Sequence, residues 1–360
     1  MPPTARSSTA RPSVRRRSAA AGVATTALVA GLLAGAPADA GRPARTKTTA
    51  SWSSTSTVRD TPVSVTGTVK DRVRGRRTVR LQLRTASGWR TQEKARTTSA
   101  GDYSFAVPTW WTRSAKVRVL AARTGRARAD ATRAQRVTVV EPYAAGGDPA
   151  AWAHISSYPV RLNPCQRLTY RVNAAQGLPD PATAETLSHA AIARISQATG
   201  VEFRYLGPTG AVFQGGGGSV PKDTDVLISW ATDAETALDI GPGTAGRGGA
   251  GKAVWGRDAR GRRIALARNA GVVIDSQTPY MDASAALHVL MHELGHAMGL
   301  GHVSDPAQVM HPASYDVPDY QWGAGDLTGF EKVGTMAGCV RPDRRGRFSA
   351  PGGLQLPDLP

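Results

Sequence analysis

The chain has 360 residues, 41% of them hydrophobic, two cysteines and a formal net charge of +18. That length accommodates two ordinary domains. Beyond the first forty residues no stretch is apolar and long enough to span a bilayer, and no nucleic-acid motif accompanies the basic charge.

Residues 1–40 read as a secretory signal peptide. Arg6, Arg11 and Arg15 to Arg17 form a basic start, Ala19 to Ala34 an apolar stretch, and Ala38-Asp39-Ala40 a small-x-small cleavage site before Gly41. The arginine run does not separate general secretory from twin-arginine export. A secreted protein, extracellular or wall-associated, is expected.

Residues 41–140 carry most of the charge. Residues 1–140 hold 27 Lys/Arg against 6 Asp/Glu, whereas residues 141–360 hold 18 against 21. Period-2 runs at Pro62–Val69, Thr78–Arg84, Tyr103–Val107, Lys116–Leu120 and Arg136–Val140 predict a small all-β sandwich. Its excess charge makes an anionic cell-wall polymer a candidate partner. Arginine exceeds lysine 38 to 7 and the charges are scattered, which a compositional bias explains equally well.

Pro142, Gly146-Gly147 and Pro149 mark a linker over 141–153, and a second domain is expected over 154–340. It opens with a strand at Leu168–Val172 and an amphipathic helix over Ala184–Ala198. Strands follow at Val201–Tyr205 and Asp225–Trp230. The segment 241–251 reads as a Gly-rich loop, and strands follow near Ile264–Ala267 and Val272–Asp275. Residues 341–360 read as a disordered tail. Cys165 and Cys339 bracket this domain, and in an oxidising compartment they are expected to form one disulfide.

Residues 292–302 carry the chemistry. His292 and His296 stand four apart, so a helix presents both imidazoles to one point. Glu293 lies between them, off their axis, where a carboxylate reaches a water without acting as a ligand. Gly299 can take the left-handed conformation that ends the helix and returns His302 to the same point. One catalytic Zn2+ on His292, His296 and His302, with Glu293 as base, is the reading this spacing supports. Asp282 or Ser284 should cap the helix; Leu287, Leu290, Met291, Leu294 and Met298 should face the core. His288, one turn before His292, is read as a packed or solvated histidine; His311 is not expected to be a ligand, and His154 and His189 have no partners in sequence.

The segment from His302 to Pro312 resembles the metzincin metalloproteases, and within them the matrixins, through Asp305, Pro306, Met310 and Pro312; Val303 replaces the usual Ser. Gly325-Asp326 and Gly329-Phe330 are similar to the start of the matrixin C-terminal helix, with its buried Asp. The resemblance implies an α+β metzincin-like domain (a twisted mixed sheet with long helices) preceded by the all-β module. It implies a Met-turn at Met310, an S1′ wall from Pro312, Ala313 and Tyr315, and an extended peptide substrate on an edge strand that the sequence does not identify. It further implies hydrolysis of peptide bonds by water activated on zinc with help from Glu293. Pro312 stands where related families carry a metal-binding Tyr, so no such ligand is expected from it. Matrixin zymogens can use a cysteine switch; the surroundings of Cys165 lack the rest of that pattern. Vertebrate matrixins bind a second zinc on histidines in a region that corresponds to 190–287, which here contains none. Asp223, Asp225, Asp233 and Asp239 are candidates for structural Ca2+. Residues 48–140, notably Arg80–Thr85 before Gly88-Trp89, resemble immunoglobulin-like modules of secreted bacterial proteins. The alternatives are a surface polyanion-binding protein with a non-catalytic zinc domain, and a zinc hydrolase of cell-wall peptides. Whether residues 41–150 are a removable propeptide is open, as is the oligomeric state.

Overall fold

The computed structural model describes residues 43–73, 75–216, 218–278, 282–313 and 321–343. The proposed signal peptide, Tyr315 and residues 344–360 lie outside them. The first ten strands are Lys47–Thr48 (β1), Ser51–Trp52 (β2), Ser56–Val58 (β3), Val63–Lys70 (β4), Thr78–Thr85 (β5), Gly88–Arg96 (β6), Asp102–Val107 (β7), Arg113–Ala121 (β8), Asp130–Ala131 (β9) and Gln135–Val140 (β10). They form two sheets, one built on β4 with β1, β2 and β7, the other ordered β3-β10-β8-β5-β6. Alternate residues of β4, β7, β5 and β8 meet in a single core of Val65, Phe105, Leu81, Val117 and their neighbours. Strand β6 escapes the period-2 reading because Gly-Trp-Arg-Thr-Gln-Glu-Lys-Ala-Arg is mostly polar, as suits a sheet edge.

The second half comprises Ala153–His154 (β11), Val160–Arg161 (β12), Leu168–Asn173 (β13), Pro181–Thr199 (α1), Phe203–Pro208 (β14), Val226–Ala231 (β15), Gly246–Ala250 (β16), Ala253–Arg257 (β17), Arg263–Ala267 (β18), Ala270–Asp275 (β19), Ala283–Met298 (α2), Leu300–Gly301 (β20), Ala324–Val333 (α3) and Arg341–Pro342 (β21). Its main sheet runs β14-β13-β15-β19-β16, parallel except for antiparallel β16. Every residue of β15 is buried. Val226, Ile228 and Trp230 pack with α1 and α2, while Leu227 and Ala231 meet Phe213 and Ile240 on the other face, the two-sided burial expected of a parallel strand.

Local chemistry sets the helix ends. Asp180 Oδ1 accepts from the N–H of Ala182 and Thr183 at 3.0 Å each, and Pro181 opens α1. Asp282 Oδ1 accepts from Ala285 N–H at 2.7 Å, so Asp282 caps α2 and Ser284 sits inside its first turn.

Three segments differ from the sequence reading. Half of the expected loop 241–251 is strand β16, buried although Gly-Arg-Gly-Gly-Ala shows no alternation, because glycines let it lie against α2. Arg341–Pro342, assigned to the tail, pairs with β17. Within 141–153 the chain is bound to the second domain: Ala324 N–H donates to Gly146 O at 2.8 Å and Asp148 N–H to Asp305 Oδ2 at 2.8 Å. Cys165 and Cys339 are joined by a disulfide. The sandwich rests on this domain through Thr112 N–H to Gln197 O at 2.9 Å, Ala86 N–H to Met336 O at 3.0 Å, and Trp111 over Gly200. Among the described residues no helix is long and apolar enough to cross a membrane.

Candidate metal centre

Helix α2 turns Leu290, Met291, Leu294 and Met298 into the core; Leu287 is only partly buried against it. His292 and His296 project one turn apart. Gly299 ends the helix at φ 110°, its N–H returning to Gly295 O and His296 O. A Cβ at Gly299 would stand 2.0 Å from Val160 O, so glycine is needed for space as well as for φ. The reversal brings His302 Nε2 to 3.1 Å from both His292 Nε2 and His296 Nε2.

This arrangement fits a divalent ion. His292 Nδ1 donates to Val309 O at 2.7 Å and His296 Nδ1 to Leu300 O at 2.8 Å, which leaves a bare lone pair on each Nε2. Lone pairs facing one another at this range repel unless a cation lies among them. Three nitrogens on a tetrahedral zinc at about 2.0–2.1 Å stand about 3.4 Å apart, close to the spacing seen. Burial pushes His292 well below the usual histidine range, His296 down to about 3 and His302 downward, with neighbouring imidazoles adding to the shift. All three are therefore neutral ligands at physiological pH. They form the only such cluster of three or more His, Cys, Asp or Glu among the described residues. The calcium candidates do not converge: Asp223 pairs with Arg171, Asp225 accepts from Thr169, Asp233 from Ile240 N–H and Asp239 from Gly241 N–H.

Glu293 is 2% exposed, and its Oε2 is shut off from solvent without a hydrogen-bond partner. Burial pushes this carboxyl up to about 8, against the opposing pull of the Arg247 charge and the Gly248 N–H. A Cβ at Gly248 would stand 2.1 Å from Glu293 O, and one at Gly246 3.1 Å from Glu293 Cγ. The glycines of β16 thus let the sheet edge approach the base. Strand β16 ends the order of the main sheet.

Met310 is buried against Gly295, where a Cβ would come within 2.3 Å of its Sδ. Asp326, on α3, holds the turn: Oδ2 accepts from Val309 N–H at 2.7 Å and Gly323 N–H at 2.9 Å, and Oδ1 from Met310 N–H at 3.3 Å. Gln308, fully buried, donates to Asp305 Oδ2 at 2.8 Å and accepts from Asp326 N–H at 3.0 Å. Beyond Met310, Pro312 is partly buried and Ala313 exposed. His189 bonds the Tyr170 hydroxyl at 2.9 Å, His311 accepts from Ala313 N–H, and neither these nor His154 and His288 join the triad. The roles of Gly246, Gly248, Gly295 and Gln308 were missed in the sequence; a glycine inside a helix, as at Gly295, was the one available signal.

Residues 163–333 match the family model for matrixin. The matched span contains the triad, Glu293, Met310 and Asp326, and it supports a zinc metalloendopeptidase at family level. Probable matrix metalloproteinase 095L of Invertebrate iridescent virus 3 is 30% identical over 114 residues, 28% of this chain. The chain spans only 30% of that protein's length. Among solved structures, a β-glucosidase from Listeria innocua in complex with isofagomine is 16% identical over 26% of this chain and 16% of its own, at a TM-score of 0.17. A Paenibacillus cycloisomaltooligosaccharide glucanotransferase is 12% identical over 52% of this chain and 20% of its own, at 0.20. Likenesses that slight carry no argument about the matrixin-like domain.

Proposed function

We propose that this chain is a secreted zinc-dependent endopeptidase, and that the buried, unpartnered Oε2 of Glu293 beside three convergent imidazoles carries the reading. A structural site needs no base and closes its fourth position with a protein ligand; here a carboxyl is held at the site with one oxygen unused. When bound, Zn2+ supplies Lewis acidity, acidifying water and polarising the scissile carbonyl. Glu293 takes the proton from the attacking water and passes it to the departing amine. His292 and His296 keep their orientation through Nδ1 donation to Val309 and Leu300. An extended peptide pairs with the edge strand β16, and Pro312 and Ala313, just after Met310, contribute to the S1′ wall.

Export rests on the basic, apolar and small-residue signature of residues 1–40 and agrees with the Cys165–Cys339 pairing. The basic sandwich, immunoglobulin-like by sequence, is read as a docking module for anionic wall polymers. Casein hydrolysis that disappears in Glu293→Ala while zinc stays stoichiometric, and that chelator abolishes reversibly, tests the assignment. Zinc-free activity, or full activity in Glu293→Ala, refutes it.

A further inference from the structure

A cleft of about 370 Å³ opens where the β5–β6 turn of the sandwich meets the matrixin-like domain, with Ala86, Trp152, His154, Arg161, Arg262 and Lys332 in its lining. None of the zinc-site residues lines it. Arg161, on β12, is only 3% exposed. A guanidinium offers five N–H donors and is positively charged throughout the physiological range. Here Nη2 donates to Ala337 O at 3.4 Å, while Nη1 is buried without a partner. No carboxylate among the described residues forms an ion pair with Arg161. Burial lowers Arg161 to about 10 against the opposing pull of the Asp258 charge, and Asp258 is already engaged by Arg262 at 2.8 Å and by the N–H groups of Arg260 and Arg262 at 2.9 Å each. A second buried polar atom of the lining, His154 Nδ1, also has no partner. Burial and the charges of Arg161 and Arg262 push His154 downward, so it is neutral and free to donate through Nδ1. Arg260, Arg262 and Lys332 add positive charge to the lining, against Asp258 and Glu331.

A buried guanidinium with no ion-pair partner of its own is unfavourable, and two residues that line one cleft each hold a buried donor without an acceptor. We propose that this cleft is an anion-binding site, in which Arg161 Nη1 and His154 Nδ1 hold a small oxyanion of the carboxylate or sulfate class, with Arg262 and Lys332 at its rim. The guanidinium fork suits a ligand with two oxygens in one plane. Because Ala86 belongs to the sandwich and the other lining residues to the second domain, the bound anion braces one against the other. This proposal is independent of the catalytic reading.

The test is thermal unfolding of the zinc-loaded full chain titrated with sodium sulfate or sodium acetate, against sodium chloride at equal ionic strength. A saturable rise in Tm with either anion is expected, and the arm that saturates at lower concentration tells a tetrahedral ligand from a planar one. Arg161→Met should weaken that anion at least tenfold and, in chloride alone, unfold at a higher temperature than the parent, since an uncompensated charge is gone. Arg262→Ala, exposed and safe for folding, should weaken it several-fold. Sulfate also stabilises proteins generally, but that effect does not saturate and persists in Arg161→Met. No saturable shift with either anion means that water alone satisfies Arg161 and overturns the proposal, as do equal affinities in parent and Arg161→Met.

Discussion

Gly248→Ala probes the packing of the edge strand β16 on helix α2. The new Cβ would lie 2.1 Å from Glu293 O, 2.7 Å from its carbonyl carbon and 2.9 Å from its Cα. All three are backbone atoms of a helix, so no side chain can swing aside. Restoring an ordinary contact requires β16 and α2 to separate by more than 1 Å. Overpacking of this kind costs about 1–3 kcal/mol. The shift also strains the ladder that pairs Gly246–Ala250 with Ala270–Ile274, at about 1 kcal/mol for each hydrogen bond lost. The expected destabilisation is about 3–4 kcal/mol, with kcat/KM on a peptide substrate down about 100-fold because Glu293 moves with the helix. Gly246→Ala is the internal control. Its Cβ would meet one backbone atom, Val273 O at 2.9 Å, and two side-chain atoms, Glu293 Cγ and Val289 Cγ1 at 3.1 Å, a milder overlap that should cost about 1–2 kcal/mol. Urea unfolding and peptide hydrolysis measure both variants. If Gly248→Ala stays within 0.5 kcal/mol of the parent with unchanged kcat/KM, the close packing of β16 on α2 is wrong.

Three further outcomes are expected. Replacing Cys165 and Cys339 together by Ser opens a cross-link across 174 positions and should lower stability by about 5 kcal/mol on the chain-entropy model; a loss under 1 kcal/mol in urea unfolding would contradict it. Asp326→Ala strips acceptors from the Val309, Met310 and Gly323 N–H groups and should cost about 3 kcal/mol or more, with loosened zinc affinity by competition titration; unchanged zinc affinity would show that the Met-turn does not depend on α3. Burial pushes His288 down to about 4. The unfolded chain therefore takes up its proton near pH 6.5 and the folded one does not. The contribution of His288 is present above that pH and is lost as pH falls towards 4, at roughly 1.4 kcal/mol per pH unit. Urea midpoints of metal-free His288→Gln should accordingly drop less between pH 7 and pH 5 than those of the parent; equal drops would place His288 in water.

Much of the site could be read from the chain because its determinants are local. Histidines four apart on a helix share a face whatever surrounds them, and Gly299 supplies the reversal that returns His302. The caps Asp180 and Asp282 act on N–H groups two or three residues away. The period-2 strands β4, β5, β7, β8 and β10 likewise announce themselves by alternation. What depended on distant partners was not readable. Strand β16 has almost no side chains with which to signal its burial, and only the approach of Glu293 explains its glycines. Nothing near Arg161 in the sequence marks its guanidinium as buried and short of an acceptor. Periodicity and capping operate within a few residues, so the sequence by itself determined the convergent histidine triad and the helix that bears two of its members. Burial, the approach of one backbone to another and the partnering of charge join residues far apart in the chain, and these only the tertiary structure decided.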